Sequence, residues 1–399
     1  MILGGRDRLG NINKSNFILF LISHGTICLG DSILLVATTL LIFDITKSGL
    51  WAGFNIIFTP VMSILLSPFA GSFGEGLNSK NTIAILNIAR AFAVMLIVDN
   101  KSVWSIYLLL IIYNAIAILI NPPMRKLTVT ILENKELLLG NSLINGVGGI
   151  AYLVGPIAAG ILVEKEGAYL LFIISSLLFA ISGLTILLVK TNGYKQKRQK
   201  HYLDSSIMEG LSYYKKDKAV RKISSIYSFL YFTTSSINIA FYAYVFNTLC
   251  ITKKEWGYIL SIFYGTNIIS MLVSIAMRDF IKKNTKLIVY LSMIIMSIPW
   301  IVYGNTHNTR MIFPMLIVEG SAFSSCTILL VSYLQQRVMR RYIARVTSII
   351  DIIISFSKIG GIAFSYLILA YFEPSFVFII NSIAIFVFTL YKLLFTKAT

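Results

Sequence analysis

Three carboxylates lie inside long apolar stretches of this sequence, where a charged group is costly and therefore points to a function. They are Asp31, Glu319 and Asp351, out of 17 acidic residues in the chain. On insertion scales, an ionisable side chain at the centre of a bilayer costs about 2.5–3.5 kcal/mol. A carboxyl group in such a place can take up and release a proton or bind a polar part of a substrate, so these residues are the candidates for that chemistry.

Asp31 lies near the middle of the first apolar stretch, in the sequence Leu29-Gly30-Asp31. We predict that it couples transport to protons or binds substrate, and the alternative is a structural carboxylate that hydrogen bonds to a neighbouring helix. His24 precedes it by seven residues, so the two side chains share a helix face. His24 is therefore a candidate proton relay, with ordinary packing as the alternative.

Two basic residues also lie within apolar stretches. Lys358 follows Asp351 by seven residues, and helical side chains lean toward the N-terminus, so Lys358 reaches back toward Asp351. Either the two neutralise each other, or Lys358 meets Glu319 or an anionic group of a substrate. Arg90 lies deep in the third apolar stretch and needs carbonyls or an acid as partners, which favours a structural or gating role over substrate contact.

Membrane-spanning helices are the elements that must hold these residues. The 399 residues are 56% apolar and 13% charged, and the mean hydropathy is +0.78, unlike a water-soluble globule. A bilayer core of about 30 Å takes about 20 apolar helical residues to cross. Such stretches occur at about 17–43, 50–73, 81–99, 103–128, 138–163, 168–190, 223–249, 256–277, 286–303, 310–336, 342–371 and 374–394.

The basic residues predict how the chain is oriented. A net charge of +18 would suggest nucleic-acid binding in a soluble protein, but most of the 35 Lys and Arg fall on one side of the predicted spans, so no nucleic-acid partner is expected. The positive-inside rule then places both termini in the cytoplasm, with the chain in the cell membrane. We predict an N-terminal six-helix bundle at 1–190, a basic cytoplasmic linker at 191–222 that contacts anionic lipid, and a C-terminal six-helix bundle at 223–399.

Short motifs at the ends of the apolar stretches carry a family resemblance. Gly71–Lys80 looks like a G-x-x-x-D-R-x-x-R-[KR] loop, Asn87–Arg90 is similar to D-x-x-R, and Gly155–Gly160 is similar to G-P-x-x-x-G. In this order the motifs resemble the major facilitator superfamily, most closely its 12-helix exporters of the macrolide-efflux type. The sequence departs from the pattern at Glu75, which replaces an Asp, and at Asn87, which also replaces an Asp.

The resemblance implies an all-α integral membrane protein, with 12 transmembrane helices in two six-helix bundles around a central cavity. In this family helices 1, 4, 7 and 10 line the cavity, so Asp31 and Glu319 are expected there. Glu319 is not part of the family pattern and is assigned to this protein's own substrate or coupling, with an internal salt bridge as the alternative. The further cavity-lining candidates are His24, Tyr113, Asn114, Tyr227, Tyr231, Thr234 and Asn238.

The same resemblance implies two gating elements. In the loop that begins at Gly71, Glu75 would latch the cytoplasmic side, with Lys80 as its nearest cation. Gly155 and Gly160 allow two helices to approach closely, and Pro156 bends its helix. Whether these three residues serve packing, gating or both is left open by the sequence.

Several chemistries have no motif in this sequence. It contains no G-x-x-x-x-G-K-[ST], H-E-x-x-H, C-x-x-C or G-x-S-x-G, so we expect no enzyme activity, no cofactor and no metal. We predict a monomeric, proton-coupled exporter of a hydrophobic or amphipathic small molecule, such as a macrolide-like drug. The alternatives are a dedicated exporter of an endogenous metabolite such as a metallophore or peptide antibiotic, a lipid flippase, or a scaffold without transport activity.

Overall fold

The computed structural model describes residues 14–73, 78–98, 100, 102–132, 137–190, 211–338 and 343–395. Helices make up most of these ranges, and no strand occurs in them. The first helices are α1 (Lys14–Thr46), α2 (Gly49–Phe54), a 3-10 turn (Asn55–Ile57), α3 (Phe58–Phe73), α4 (Ser79–Met95), α5 (Val103–Ile131), α6 (Leu137–Glu166) and α7 (Ala168–Leu187). The later ones are α8 (Lys218–Ala243), a π-helical turn (Tyr244–Thr248), α9 (Lys253–Ala276), α10 (Arg278–Asn305), α11 (Thr309–Arg337), α12 (Ile343–Leu369) and α13 (Pro374–Phe395).

The helices follow the apolar stretches of the sequence. Each of the twelve predicted spans contains one long helical segment, when α2, the 3-10 turn and α3 are taken together. Within the described ranges, nine helices are long and apolar enough to cross a membrane. The all-α, twelve-helix prediction is confirmed because apolar length alone sets where such helices begin and end.

One predicted loop is helical. The segment Arg278–Lys283 was expected to connect two spans, but α10 begins at Arg278, and its one non-helical residue is Asn284 (φ −119°, ψ 19°). The segment contains neither glycine nor proline, so nothing in it stops a helix. The kink at Asn284 separates this polar first turn from the apolar span.

Two compact units make up the chain. Unit 1 comprises residues 1–38 and 65–200, and unit 2 comprises residues 39–64 and 201–399. Residues 39–64, which include the last turns of α1, thus group with the C-terminal helices. The predicted boundaries at 190 and 223 stay predictions, and most of the linker at 191–222 lies outside the described residues.

In unit 1, α4 packs against α5 and α7. A buried cluster joins the beginning of α1 to these helices, with Phe20, Ile83, Leu127 and Ile186 among its members. Lys80, at the start of α4, donates to the last carbonyls of α7 at 3.2 and 3.3 Å. These contacts fix the position of α1 relative to α4. Asp31 on α1 and Arg90 on α4 can therefore meet.

In unit 2, α8 packs against α12, α10 packs against α11 and α13, and α9 packs against α11. Residues at the end of α1 join this unit through polar contacts. The Lys253 ammonium lies 2.5 Å from Asp44, and Asn247 accepts from the Gly49 N–H at 2.7 Å. Asn247 lies on the π-helical turn, an arrangement that widens a helix locally.

Candidate functional site

A part-buried cluster of three residues lies in unit 1. Arg90 on α4 donates through Nη2 to the Asp31 carboxylate on α1 and, at 2.6 Å, to the Tyr113 hydroxyl on α5. The Tyr113 hydroxyl in turn donates to Asp31 Oδ1. The Arg90 side chain is 2% exposed and that of Asp31 23% exposed. The sequence placed these three residues on separate spans, and the structure brings them together.

Aromatic rings enclose the guanidinium of Arg90. Its central carbon lies 4.5 Å from the centroid of the Tyr113 ring and 4.4 Å from that of Phe179 on α7. Such stacking stabilises a desolvated cation by about 2 kcal/mol. Gly30 makes room for this arrangement, because a Cβ there would lie 2.9 Å from the Phe179 ring.

The glycine motif on α6 packs against α1 beside Asp31. A Cβ at Gly155 would lie 1.9 Å from the Ser32 hydroxyl oxygen, which donates to the Ala151 carbonyl at 3.2 Å. A Cβ at Gly25 on α1 would lie 2.8 Å from a methyl carbon of Val147 on α6. The small residues of this motif therefore let two helices touch at the depth of the acid.

A second buried acid lies in unit 2. Glu319 on α11 is 9% exposed, and its two carboxyl oxygens contact two side chains of α10. The Trp300 indole N–H donates to Oε1 at 2.8 Å, and the Tyr303 hydroxyl donates to Oε2 at 3.1 Å. In the described ranges no basic side chain lies within 4 Å of this carboxyl. The internal salt bridge considered from the sequence is therefore not formed with any described residue.

The surroundings of Glu319 are aromatic and tightly packed. Tyr303 lies 5.4 Å from the Phe241 ring and 5.7 Å from the Phe378 ring. A Cβ at Gly320 would lie 2.0 Å from the Thr266 hydroxyl oxygen on α9. As in unit 1, a glycine next to the acid allows a neighbouring helix to approach closely.

The donors around Glu319 suit both protonation states of the carboxyl. An indole N–H can only donate, whereas a phenol hydroxyl can donate to a carboxylate or accept from a protonated carboxyl. Glu319 thus keeps both hydrogen bonds whether or not it carries a proton. Arg90, in contrast, can only donate hydrogen bonds and carries a permanent charge, so Asp31 faces a cation and Glu319 faces two neutral donors.

Lys358 lies in unit 2 over an aromatic ring. Its ammonium is 4.7 Å from the centroid of Tyr231 on α8. Asp351, two turns earlier on α12, acts on it electrostatically and has an exposed side chain. The sequence left open whether Lys358 pairs with Asp351 or binds something else, and the ring contact is the closest interaction that the structure gives it.

The remaining cavity candidates differ in their contacts. His24 lies 3.5 Å from the Cys28 sulfur and stacks on Phe20, at 6.5 Å between centroids. Asn114 and Thr234 bond to carbonyls of their own helices, at 2.8 Å each. Asn238 is exposed on α8. Their roles stay predictions.

The gating candidates are only partly described. Glu75 lies outside the described residues, as does the side-chain environment of Gly71, so the predicted latch is untested. Lys80 contacts the end of α7, as given above. Pro156 lies inside α6, and Gly160 is buried.

Three aromatic residues of these sites were not predicted from the sequence, namely Phe179, Trp300 and Tyr303. Aromatic residues are frequent in the chain, with 26 Phe and 21 Tyr, so no single one stood out. Tryptophan is rarer, with four copies, and Trp300 lies near the end of α10, the helix directly before the one that carries Glu319. A rare donor close to an intramembrane acid is the signal that could have found it.

Long apolar helices that carry acids, a buried arginine and a lysine are typical of a polytopic membrane protein of the transporter class. The chain belongs to the Major Facilitator Superfamily, whose sequence model matches residues 20–361. No curated protein matches the sequence.

Solved structures resemble the whole chain. A point variant of the nucleoside transporter NupG has a TM-score of 0.77 at 16% identity, covering 94% of this chain and 99% of that one. A bacterial homologue of the iron transporter ferroportin, in an inward-facing state, has a TM-score of 0.69 at 13% identity, covering 94% and 98%. A bacterial homologue of the human lysosomal transporter Spinster also gives 0.69, at 11% identity, covering 95% and 96%. At these identities the likeness shows the fold.

Proposed function

We propose that this multi-pass membrane transporter is a proton-coupled exporter of a hydrophobic or amphipathic small molecule, with Glu319 as the residue that carries the proton. The observation behind the proposal is the contact of Glu319 with Trp300 and Tyr303, with no cation within 4 Å among the described residues. A buried carboxyl group without a cation is stable when protonated and costly when ionised. Gain or loss of one proton at this place therefore changes the energy of the surrounding helices.

The assignment to Glu319 follows from what surrounds each acid. Asp31 is held by Arg90 and Tyr113, and its protonation would leave a buried guanidinium without a counter-charge. Protonation of Glu319 leaves no such charge behind. Asp31 therefore acts as a structural and gating anion for Arg90, and Glu319 titrates.

The direction of transport is supported by the glycine–proline motif. Gly155 and Pro156 resemble the motif of antiporters in this superfamily, and Gly155 packs against Ser32 beside Asp31. Aromatic rings cluster in unit 2 around Tyr303 and beside Lys358, and such rings suit a bulky apolar cargo such as a macrolide-like drug. An endogenous metabolite is the second candidate, because Lys358 offers a cation to an anionic cargo.

The test uses everted membrane vesicles from cells that express the wild type or Glu319→Gln. Respiration acidifies their lumen, which an acridine dye reports. Erythromycin and rhodamine 6G are added as probes, together with any compound that untargeted mass spectrometry finds enriched in the medium of wild-type cells. We expect a substrate to dissipate the proton gradient in wild-type vesicles and to have no effect in Glu319→Gln vesicles.

Glu373→Gln is the matched control, because Glu373 is an exposed acid between α12 and α13. It should respond as the wild type does. An equal response from Glu319→Gln would remove Glu319 from the mechanism. Transport that continues when the proton gradient is collapsed by an uncoupler would contradict proton coupling itself.

We further propose that the chain acts as a monomer in the cell membrane, with both termini in the cytoplasm and its basic segments against anionic lipid. Cys250 allows a direct test, because it is exposed between α8 and α9 while Cys28 and Cys326 are buried. A membrane-impermeant maleimide should label intact cells, and Cys250→Ser should abolish the label. If Cys250 is labelled only in permeabilised cells, it lies on the cytoplasmic side and the proposed orientation is wrong.

A further inference from the structure

Lys358 and its aromatic neighbours form a distinct group within unit 2. The ammonium lies over the face of Tyr231, which stacks on Tyr227 at 6.1 Å between centroids with an interplanar angle of 8°. Tyr231 also meets Phe323 of α11 edge-on, at 6.0 Å. Three helices therefore present one cation and three rings to the same region.

The backbone is built to bring Lys358 to this place. A Cβ at Gly361 would lie 2.1 Å from the Phe232 carbonyl oxygen, so α12 and α8 touch through their main chains. A larger residue at 361 would separate the helices and lift the ammonium from the Tyr231 ring. This close contact lies one helical turn from Lys358, so it fixes the position of the Lys358 Cα.

The ammonium of Lys358 is incompletely satisfied. It has three N–H donors, and in the part of the chain that the structure describes none of them makes a hydrogen bond within 3.5 Å or an ion pair within 4 Å, although the Asp351 carboxylate acts on the ammonium from farther away. An intramembrane cation of this kind normally has an anion or carbonyls as partners. The contact with a ring supplies only part of that stabilisation.

We propose that Lys358, Tyr231, Tyr227 and Phe323 form a binding subsite for the anionic group of an amphipathic substrate that also carries an aromatic ring. This inference deepens the proposed function and rests on its small-molecule cargo. The substrate's carboxylate or sulfonate accepts from the Lys358 ammonium, and its ring packs against the tyrosines.

Two matched probes test the charge requirement directly. Binding of 2-naphthoate and of its uncharged amide, 2-naphthamide, to the purified full-length protein is measured by equilibrium dialysis at neutral pH, with no proton gradient present. The probes share a ring system and differ in charge. We expect the carboxylate to bind about tenfold more tightly than the amide, since a charge-assisted hydrogen bond forms only with the carboxylate.

Substitutions then locate the effect. Lys358→Gln should weaken 2-naphthoate binding about tenfold and leave 2-naphthamide unchanged, while Lys358→Arg should retain the preference for the anion. Lys254→Gln is the matched control, because Lys254 also lies over a tyrosine ring, that of Tyr258, at 5.9 Å. It should leave both affinities unchanged.

The proposal is overturned if the wild type binds the two probes equally or binds neither, or if Lys358→Gln keeps the preference for the carboxylate. Lys358→Arg and the elution profile in gel filtration separate loss of the site from loss of folding. The outcome is independent of proton coupling. Anion-selective binding in a protein whose transport ignores the gradient would retain the subsite and reject the coupling.

Discussion

The two buried acids of this transporter are embedded differently. Asp31 in unit 1 contacts a guanidinium and a phenol, and the guanidinium is stacked between two rings. Glu319 in unit 2 contacts an indole and a phenol and has no cation within 4 Å among the described residues. The comparison teaches that the neighbouring side chains decide whether an acid in a membrane span meets a fixed positive charge or only neutral hydrogen-bond donors.

Loss of the Asp31 charge should have the largest effect on stability. Asp31→Asn leaves Arg90 buried and unpaired, so we expect the free energy of unfolding to fall by about 3–5 kcal/mol. Thermal unfolding of the purified protein measures this. The double variant Asp31→Asn with Arg90→Gln should recover most of the loss, because no charge is then left unpaired.

Asp44→Asn is the control for this experiment. It removes an ion pair with Lys253 whose side chains are 35% and 36% exposed, and such pairs contribute about 1 kcal/mol or less. An equal loss of stability in Asp31→Asn and Asp44→Asn would show that burial of the Arg90 pair does not matter.

The glycines next to the acids should be the next most sensitive positions. Gly155→Ala and Gly320→Ala each place a methyl group within about 2 Å of a hydroxyl oxygen, and overpacking of this kind costs about 1–3 kcal/mol. Gly146→Ala, on the same helix as Gly155, meets nothing within 4 Å and should be neutral or slightly stabilising. Thermal unfolding of all three variants compares the stability effects in the two units. Unchanged stability in Gly320→Ala would show that the glycine beside Glu319 is not needed for close helix packing.

The two phenols should separate the two roles in transport. Tyr303→Phe removes the group that can donate to Glu319 or accept from it, so we expect coupled transport to fall about tenfold. Tyr113→Phe leaves Arg90 on Asp31 and should lower transport less than about threefold. The dye assay in everted vesicles measures both rates. The reverse order would make Asp31 the proton carrier.

Glu319→Gln should have the smallest effect on stability, although it abolishes coupling. A glutamine can accept from Trp300 and donate to Tyr303, so the change in unfolding free energy should be within about 1 kcal/mol. Thermal unfolding beside Asp31→Asn makes the contrast direct. A loss as large as that of Asp31→Asn would mean that Glu319 is ionised and paired.

The course of the helices was predictable because bilayer thickness sets a minimum apolar length that composition alone reveals. The 3-10 turn at Asn55–Ile57 was overlooked, although Pro60, four residues after Ile56, cannot donate the hydrogen bond that a regular helix makes to the Ile56 carbonyl. The π-helical turn at Tyr244–Thr248 contains no residue that forces such a break, and its Asn247 bonds to residues at the start of α2.

The acids themselves were found from the sequence, but their partners were not. Asp31 and Arg90 lie 59 positions apart, and helical periodicity says nothing about which faces of different helices meet. Tyr113 completes the Asp31 cluster, and its predicted place in the cavity lining stays a prediction. Charge in an apolar stretch thus identifies a site, whereas its chemistry depends on neighbours that only the fold assembles.

The Asp31–Arg90 pair also constrains how this protein can evolve. A lineage that loses either residue alone passes through a form with one unmatched buried charge, which selection against unfolded protein removes. The two codons should therefore change together or not at all, whereas position 319 can lose its acid in one step at little cost to folding. Loss of the acid at position 319 is then easier to reach by mutation than loss of the Asp31–Arg90 pair.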